Sequence, residues 1–162
     1  MIPAVALPCP VLIADIGGTN CRLSLLAEHG AAPEALARIS TGAFPTPEQA
    51  LESVLSTLHT RPRSAVLAVA GPLYGHSAQL TNAGWYFDGP KLAQALRLEQ
   101  GLLVNDFEAL AAALAVLGAE DVVTLVAGQP EATGPRLVLG PGTGFGAAAL
   151  LQRGEASVLV PT

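Results

Sequence analysis

The sequence predicts an α/β fold on a mixed sheet, with elements in the order β-β-β-α-β-α-β-α. Three observations predict it. The apolar run Val11-Leu12-Ile13-Ala14 leads into Gly17-Gly18 and then the alternating run Cys21-Arg22-Leu23-Ser24-Leu25, which reads as strand, tight turn, strand. Ser64–Ala70 and Gly101–Val104 are short, nearly unbroken apolar stretches, as expected of strands buried on both faces. The segments around them place apolar residues at helical spacing, as a core-facing helix does.

Taken in order, residues 11–16 and 21–28 are expected to pair, with Ala35–Ser40 as a third strand. Pro45 and Pro47 then break the chain. Pro47 suits the first turn of a helix running to His59, with Thr46 as its cap, and Leu51, Val54, Leu55 and Leu58 give it one apolar face. Ser64–Ala70 is the next strand, ended by Gly71-Pro72. Gly75-His76 reads as a hairpin turn leading to Ala78–Thr81, and Pro90–Leu98 as a helix with Leu92, Ala95 and Leu96 on one side. The strand Gly101–Val104 is followed by a helix from Phe107 to Leu117, which Gly118 closes. Arg136–Leu139 and Ala147–Leu151 flank a second glycine-rich turn.

A chain of 162 residues, 51% of them hydrophobic, can build one good core, or one domain and part of another. No apolar run is long enough to span a bilayer, because Asp15, Arg22 and Glu28 interrupt the most apolar region. The start, Met1-Ile2-Pro3-Ala4-Val5, has no basic residue, so no signal peptide is expected. A net charge of −5 argues against a nucleic-acid partner. Cys9 and Cys21 have no metal-site spacing and suit free thiols of a cytoplasmic protein. His29, His59 and His76 are scattered among turn and helix-surface residues and read as solvated.

Two constellations can carry chemistry. In Asp15-Ile16-Gly17-Gly18-Thr19-Asn20, the paired glycines let backbone amides approach a ligand closely. Asp15 places a carboxylate at the mouth of the turn, and Thr19 and Asn20 add side-chain donors. A carboxylate for Mg²⁺ with a cluster of donors is what a nucleotide's terminal phosphates require. No Gly-Lys-Ser/Thr follows, so this is not a Walker loop; an ordinary hairpin is the alternative. Asn105-Asp106 follows a strand and opens a helix, where the dipole helps keep a carboxylate ionised. Taken alone, that pair is equally an N-cap. Gly142, Gly144 and Ala147 also satisfy a dinucleotide-binding spacing, but that fingerprint alone is weak and needs an acidic residue about twenty positions on, before which the sequence ends.

Asp15-Ile16-Gly17-Gly18-Thr19-Asn20 with Arg22 resembles the first phosphate motif of sugar kinases with the hexokinase/actin-like ATPase fold. Ala70-Gly71-Pro72, Thr81-Asn82-Ala83-Gly84-Trp85, Leu103-Val104-Asn105-Asp106-Phe107 and Leu139-Gly140-Pro141-Gly142-Thr143-Gly144-Phe145-Gly146 follow in that order. Together they resemble the N-terminal half of the bacterial ATP-dependent glucokinase family. The resemblance implies ATP and Mg²⁺ as cofactors and glucose or a related hexose as substrate. It makes Asp15, Gly17, Gly18, Thr19, Asn20, Thr143 and Gly144 the nucleotide-binding residues, with Asp15 on Mg²⁺ directly or through water. Asp106 becomes the base for the attacking hydroxyl, and Asn105 and Asn82 sugar ligands. Trp85 either lines the sugar cleft or caps the core. Arg22 either meets a phosphate or is a paired strand residue. Glu108 either complements the helix dipole or positions Mg²⁺ through water.

The same resemblance implies a small actin-like ATPase domain over residues 1–117, a crossover at 118–135 and the first strands of a truncated large domain at 136–162. A chain of that kind is expected to be inactive by itself. Its segment 136–160 would either pair with a second copy as a homodimer or fold back. Two rivals remain: a kinase for another hexose or N-acetyl sugar, and a non-catalytic sugar-sensing regulator. Asp106 and the absence of a DNA-binding segment before the first strand favour the enzyme.

Overall fold

The computed structural model describes residues 6–80, 83–129, 131, 134–141, 145–153 and 156–161. They fall into two compact units, one comprising Val5–Asp106 and the other containing Phe107–Thr162.

The first unit is built on a five-stranded sheet of order β3-β2-β1-β4-β8. Its strands are β1 (Val11–Ile16), β2 (Asn20–Leu26), β3 (Glu34–Ser40), β4 (Ser64–Val69) and β8 (Gln100–Asn105). β1, β2 and β3 are antiparallel neighbours, whereas β1, β4 and β8 run parallel. Helix α1 (Pro47–Leu55) precedes β4, and α2 (Gly89–Ala95) precedes β8. Between β4 and α2 the chain forms a small sheet from β5 (Leu73–Tyr74), β6 (Ser77–Gln79) and β7 (Tyr86–Asp88). The sequence suggested only the first hairpin of it, at Gly75, whose φ of 64° is the left-handed angle such a turn needs.

One core joins these parts. Leu12, Ala14 and Ile16 of β1 and Leu67 and Val69 of β4 meet Leu51 and Leu55 of α1 and Leu92 and Leu96 around α2. Trp85 is 1% exposed, stands edge-on to Phe87 at 6.2 Å and donates its indole N–H to the Phe44 carbonyl at 3.0 Å. Of the two roles open to Trp85, the core is therefore the one it fills.

Element ends differ from expectation for local reasons. Thr46 caps α1 as expected, its hydroxyl oxygen accepting from the Gln49 N–H. The helix stops at Leu55 rather than His59, because Thr57 and Leu58 bond back only three residues, to Val54 and Leu55. α2 ends at Ala95 rather than Leu98, where Arg97 takes a left-handed φ of 58°. Gly101–Val104 was expected to be fully buried, yet Leu102 is 41% exposed, because β8 is the edge strand of its sheet.

The second unit contains α3 (Asp106–Ala113) from Phe107 onward and a sheet of order β11-β10-β9. Its strands are β9 (Arg136–Pro141), β10 (Phe145–Arg153) and β11 (Ala156–Pro161). The expected two-stranded hairpin is thus a three-stranded sheet, since Ala156–Pro161 pairs with the far edge of β10. α3 was expected to reach Leu117. Instead Leu114, Ala115 and Val116 each bond three residues back, and regular helix ends at Ala113.

Candidate functional site

The parallel register decides what meets at the end of the first unit's sheet. Ile16 of β1 pairs with Val69 of β4, and Val69 with Asn105 of β8. Three parallel strands therefore finish in one row, and the residues after them emerge together: Gly17 onward, Ala70-Gly71 and Asp106. Open α/β sheets bind ligands at this carboxyl edge. With β1 and β8 two strand spacings apart, the row is roughly 10 Å wide.

At one end of the row is the β1–β2 turn. Gly17 N–H donates to the Asn20 carbonyl at 2.9 Å and closes it. Thr41, 1% exposed, holds it from beneath. The Thr41 hydroxyl donates to the Gly18 carbonyl at 2.9 Å, and its backbone N–H donates to the Thr19 carbonyl at 3.1 Å. Because the peptide is planar and trans, engaging the Gly18 carbonyl turns the Thr19 N–H away from Thr41. Among the described residues, the Gly18 and Thr19 N–H groups meet no acceptor. Amides gathered in such a turn form an anion-binding concavity. Thr41 was not anticipated, since nothing in Ser40-Thr41-Gly42 announces a support for a turn twenty residues earlier.

Asp15, Arg22 and Arg38 lie in one cross-strand row, Asp15 opposite Arg22 and Arg22 opposite Arg38. Arg22 Nη1 donates to Asp15 Oδ2 at 2.7 Å, and both side chains are more than half exposed. Arg22 is thus the paired strand residue of the two readings given above. Arg38 Nε donates to Asn20 Oδ1 at 3.2 Å, which orients the Asn20 amide.

At the other end, Asn105 Nδ2 donates to the Gly71 carbonyl at 3.1 Å, partly buried. Gly71 has no room for a side chain, because a Cβ there would run into the Gln79 backbone on β6. Asp106 opens α3 directly after Asn105. Beneath the turn, Cys21 is fully buried, and burial, aided by the Asp15 charge, pushes its thiol up to about 12. Such a thiol is packing rather than a nucleophile.

Asn82, Thr143 and Gly144 lie outside the described residues. Among the described residues no cluster of three or more His, Cys, Asp or Glu could cage a metal. A lone carboxylate, Asp15, beside free turn amides does suit Mg²⁺, which keeps several waters and binds through one or two carboxylates plus substrate phosphates. A surface hollow of about 420 Å³ bordered by Glu48, Glu52, Ser56 and Leu96 contains none of the candidate residues.

Solved structures share this fold. A glucokinase from an Antarctic psychrotroph superposes with a TM-score of 0.82 at 37% identity, over 94% of this chain and 49% of that one. A Balamuthia mandrillaris glucokinase, solved in complex with glucose, superposes with a TM-score of 0.60 at 23% identity over 94% of this chain, a likeness of fold alone. The architecture is that of sugar kinases with the actin-like ATPase fold.

The glucokinase family model matches residues 12–162, and the chain belongs to that family. Glucokinase of Rhizobium meliloti (strain 1021) is 45% identical over 155 residues, 95% of this chain and 46% of the relative. That of Chelativorans sp. (strain BNC1) is 40% identical over 158 residues. The chain spans about half the length of the curated relatives it matches.

Proposed function

We propose that the whole protein is an ATP-dependent glucokinase that transfers the γ-phosphoryl group to the 6-hydroxyl of glucose. The observation that carries this reading is the in-register finish of β1, β4 and β8. It brings the Gly17-Gly18 turn and Asp106 to one edge of one sheet, which supports the reading. Family membership supplies the substrate class.

In this reading the Gly18 and Thr19 amides, with the side chains of Thr19 and Asn20, hold phosphate oxygens, and Gly17 shapes the turn. Asp15 would hold Mg²⁺ directly or through water, and the bound ion would supply charge neutralisation at the phosphates. Thr143 and Gly144 also bind the nucleotide, as the family resemblance implies. Asn105 and Asn82 hold sugar hydroxyls, and Asp106 accepts the proton of the attacking one. Phosphoryl transfer asks mainly for alignment and charge neutralisation, with an Asp orienting the attacking oxygen.

The accompanying architecture is a small domain over 1–117 of order β-β-β-α-β-α-β-α, counted without the small sheet β5-β6-β7 that lies between β4 and α2, a crossover at 118–135 and a second domain opening at 136–162. The protein acts in the cytoplasm, as a homodimer. Among the described residues no helix is long and apolar enough to cross a membrane. Another hexose or N-acetyl sugar is the second reading.

The test is Asp106→Asn in the whole protein. The amide keeps the shape but cannot take the proton, so turnover should fall by at least about a hundredfold while calorimetry still records glucose binding. Near-normal turnover of the variant would refute the mechanism.

A further inference from the structure

Gly140 and Gly146 face each other in register across β9 and β10. Neither is open to solvent space on that face, because a Cβ built on either residue would overlap the ring of Phe107. The ring therefore lies directly on the backbone of a cross-strand glycine pair. The same face of the ladder carries the pairs Val138–Ala148 and Arg136–Leu150, of which Ala148 and Leu150 are 1% and 5% exposed. At the far end of this stretch of chain, Arg136 Nη1 donates to the Leu114 carbonyl at 2.6 Å. The segment 107–114 thus spans the ladder with an aromatic anchor at one end and a hydrogen bond at the other.

Gly140 and Gly146 are glycine because an aromatic ring occupies the space above them, which takes that face of the pair away from any ligand. Pro141 and Phe145, which end the paired part of the ladder, are held by the strand positions on which the ring rests. Phe107 also follows Asp106 directly, at the start of α3.

We propose that Phe107 is a positioning residue for the nucleotide, acting through Gly140 and Gly146 on the flanks of the second glycine-rich segment. The inference rests on the glucokinase reading above. It assigns to an apolar side chain the setting of the β9–β10 ladder, which flanks this segment, against the chain from Phe107 to Leu114. A ring stacked on glycines in a ladder protects and stiffens it, and small displacements of a positioning group are costly in rate.

Steady-state kinetics of the whole protein test the proposal, with wild type, Phe107→Ala, Phe107→Leu, Gly146→Ala and the double variant Phe107→Ala/Gly146→Ala. Phe107→Ala should raise KM for ATP about tenfold, with KM for glucose within about twofold. Gly146→Ala should be worse, because its methyl group forces the ring away. The double variant should return to the level of Phe107→Ala alone, a non-additivity expected of residues in contact. Phe107→Leu serves if Phe107→Ala fails to fold, and should show the same ATP-selective change. Independently of activity, the Cα protons of Gly140 and Gly146 should be shifted upfield by the ring and lose that shift in Phe107→Leu.

With an active wild type, Phe107 variants that lower the melting temperature yet leave both KM values unchanged would overturn the proposal. So would equal effects on both substrates, or a double variant no better than Gly146→Ala. A wild-type whole protein without glucose-dependent ATP turnover would overturn the underlying reading and this role with it. The proton shifts would still report whether the ring lies on the glycines.

Discussion

Asn105 Nδ2 and the Gly71 carbonyl, 3.1 Å apart, tie the ends of β8 and β4 together. The bond fixes which way the Asn105 amide faces. Gly71 is itself wedged against Gln79, whose carbonyl carbon would lie 3.3 Å from a Cβ at that position, with the oxygen closer still. Gly71→Ala must therefore displace either β6 or its own carbonyl. Overpacking of this kind costs about 1–3 kcal/mol. The expected outcome is a lower melting temperature together with a KM for glucose raised about tenfold and a KM for ATP within about twofold. A variant that melts earlier but keeps its glucose KM would separate Asn105 from sugar binding.

Asp15 and Arg22 make the opposite case, a close ion pair of little structural value. With side chains 55% and 59% exposed, the pair contributes about 0–1 kcal/mol. Asp15→Ala and Arg22→Ala should both leave the thermal midpoint nearly unchanged, and salt should narrow what difference there is. Under the proposed function Asp15→Ala should nevertheless lower turnover by about a hundredfold or more, the scale on which lost charge stabilisation is felt. Turnover within a few-fold of wild type would show that the carboxylate serves only Arg22.

The two cysteines should differ sharply in reactivity. Cys21 is fully buried and its thiol is pushed up to about 12, whereas Cys9 is partly accessible. A thiol reagent at neutral pH should label Cys9 in the native protein and Cys21 only after unfolding. Because the folded value of Cys21 lies above the ordinary thiol value of 9.0, the thiol's contribution is fully present below pH 9 and is lost as pH rises from there towards 12. Cys21→Ala should flatten that alkaline loss, measured by denaturant melts across the window. Labelling of Cys21 at the rate of Cys9 in the native state would contradict the burial.

Much of this was legible in the sequence, and what was not has identifiable causes. The β1–β2 turn announced itself because Gly17-Gly18 sits between an apolar run and an alternating one, so period and turn chemistry agree. Thr46-Pro47 announced α1 for the same reason: cap and first-turn proline coincide. The helix ends were less legible. Arg97 adopts a left-handed angle without being glycine, and no residue-type signal marks it. The edge position of β8 was also hidden, since an apolar run reports that a strand is apolar, not what lies beside it. Thr41 and Phe107 were missed for one shared reason. Each acts on residues distant in sequence, Gly18 and the pair Gly140–Gly146, and only the folded register brings them into contact.

Acid should weaken the first unit through its paired carboxylates. Arg61 grips Glu52 with two hydrogen bonds, at 3.0 and 2.6 Å, and this hydrogen bonding holds the Glu52 carboxyl below its ordinary value. Arg63 does the same to Glu99, and Lys91 to Asp88. Each carboxyl has a lower value folded than unfolded. Each contribution is therefore complete above the ordinary carboxylate range and is lost as pH falls below it through the folded value. Glu52 is 46% exposed, so solvent screening keeps its share below about 1 kcal/mol. Melting temperatures measured from neutral pH down into the carboxylate range should fall progressively. Glu52→Gln should start slightly lower at neutral pH and fall less steeply, since its side chain no longer takes up a proton. A variant curve that runs parallel to wild type through the acid range would show that the Arg61–Glu52 pair contributes nothing to the folded state.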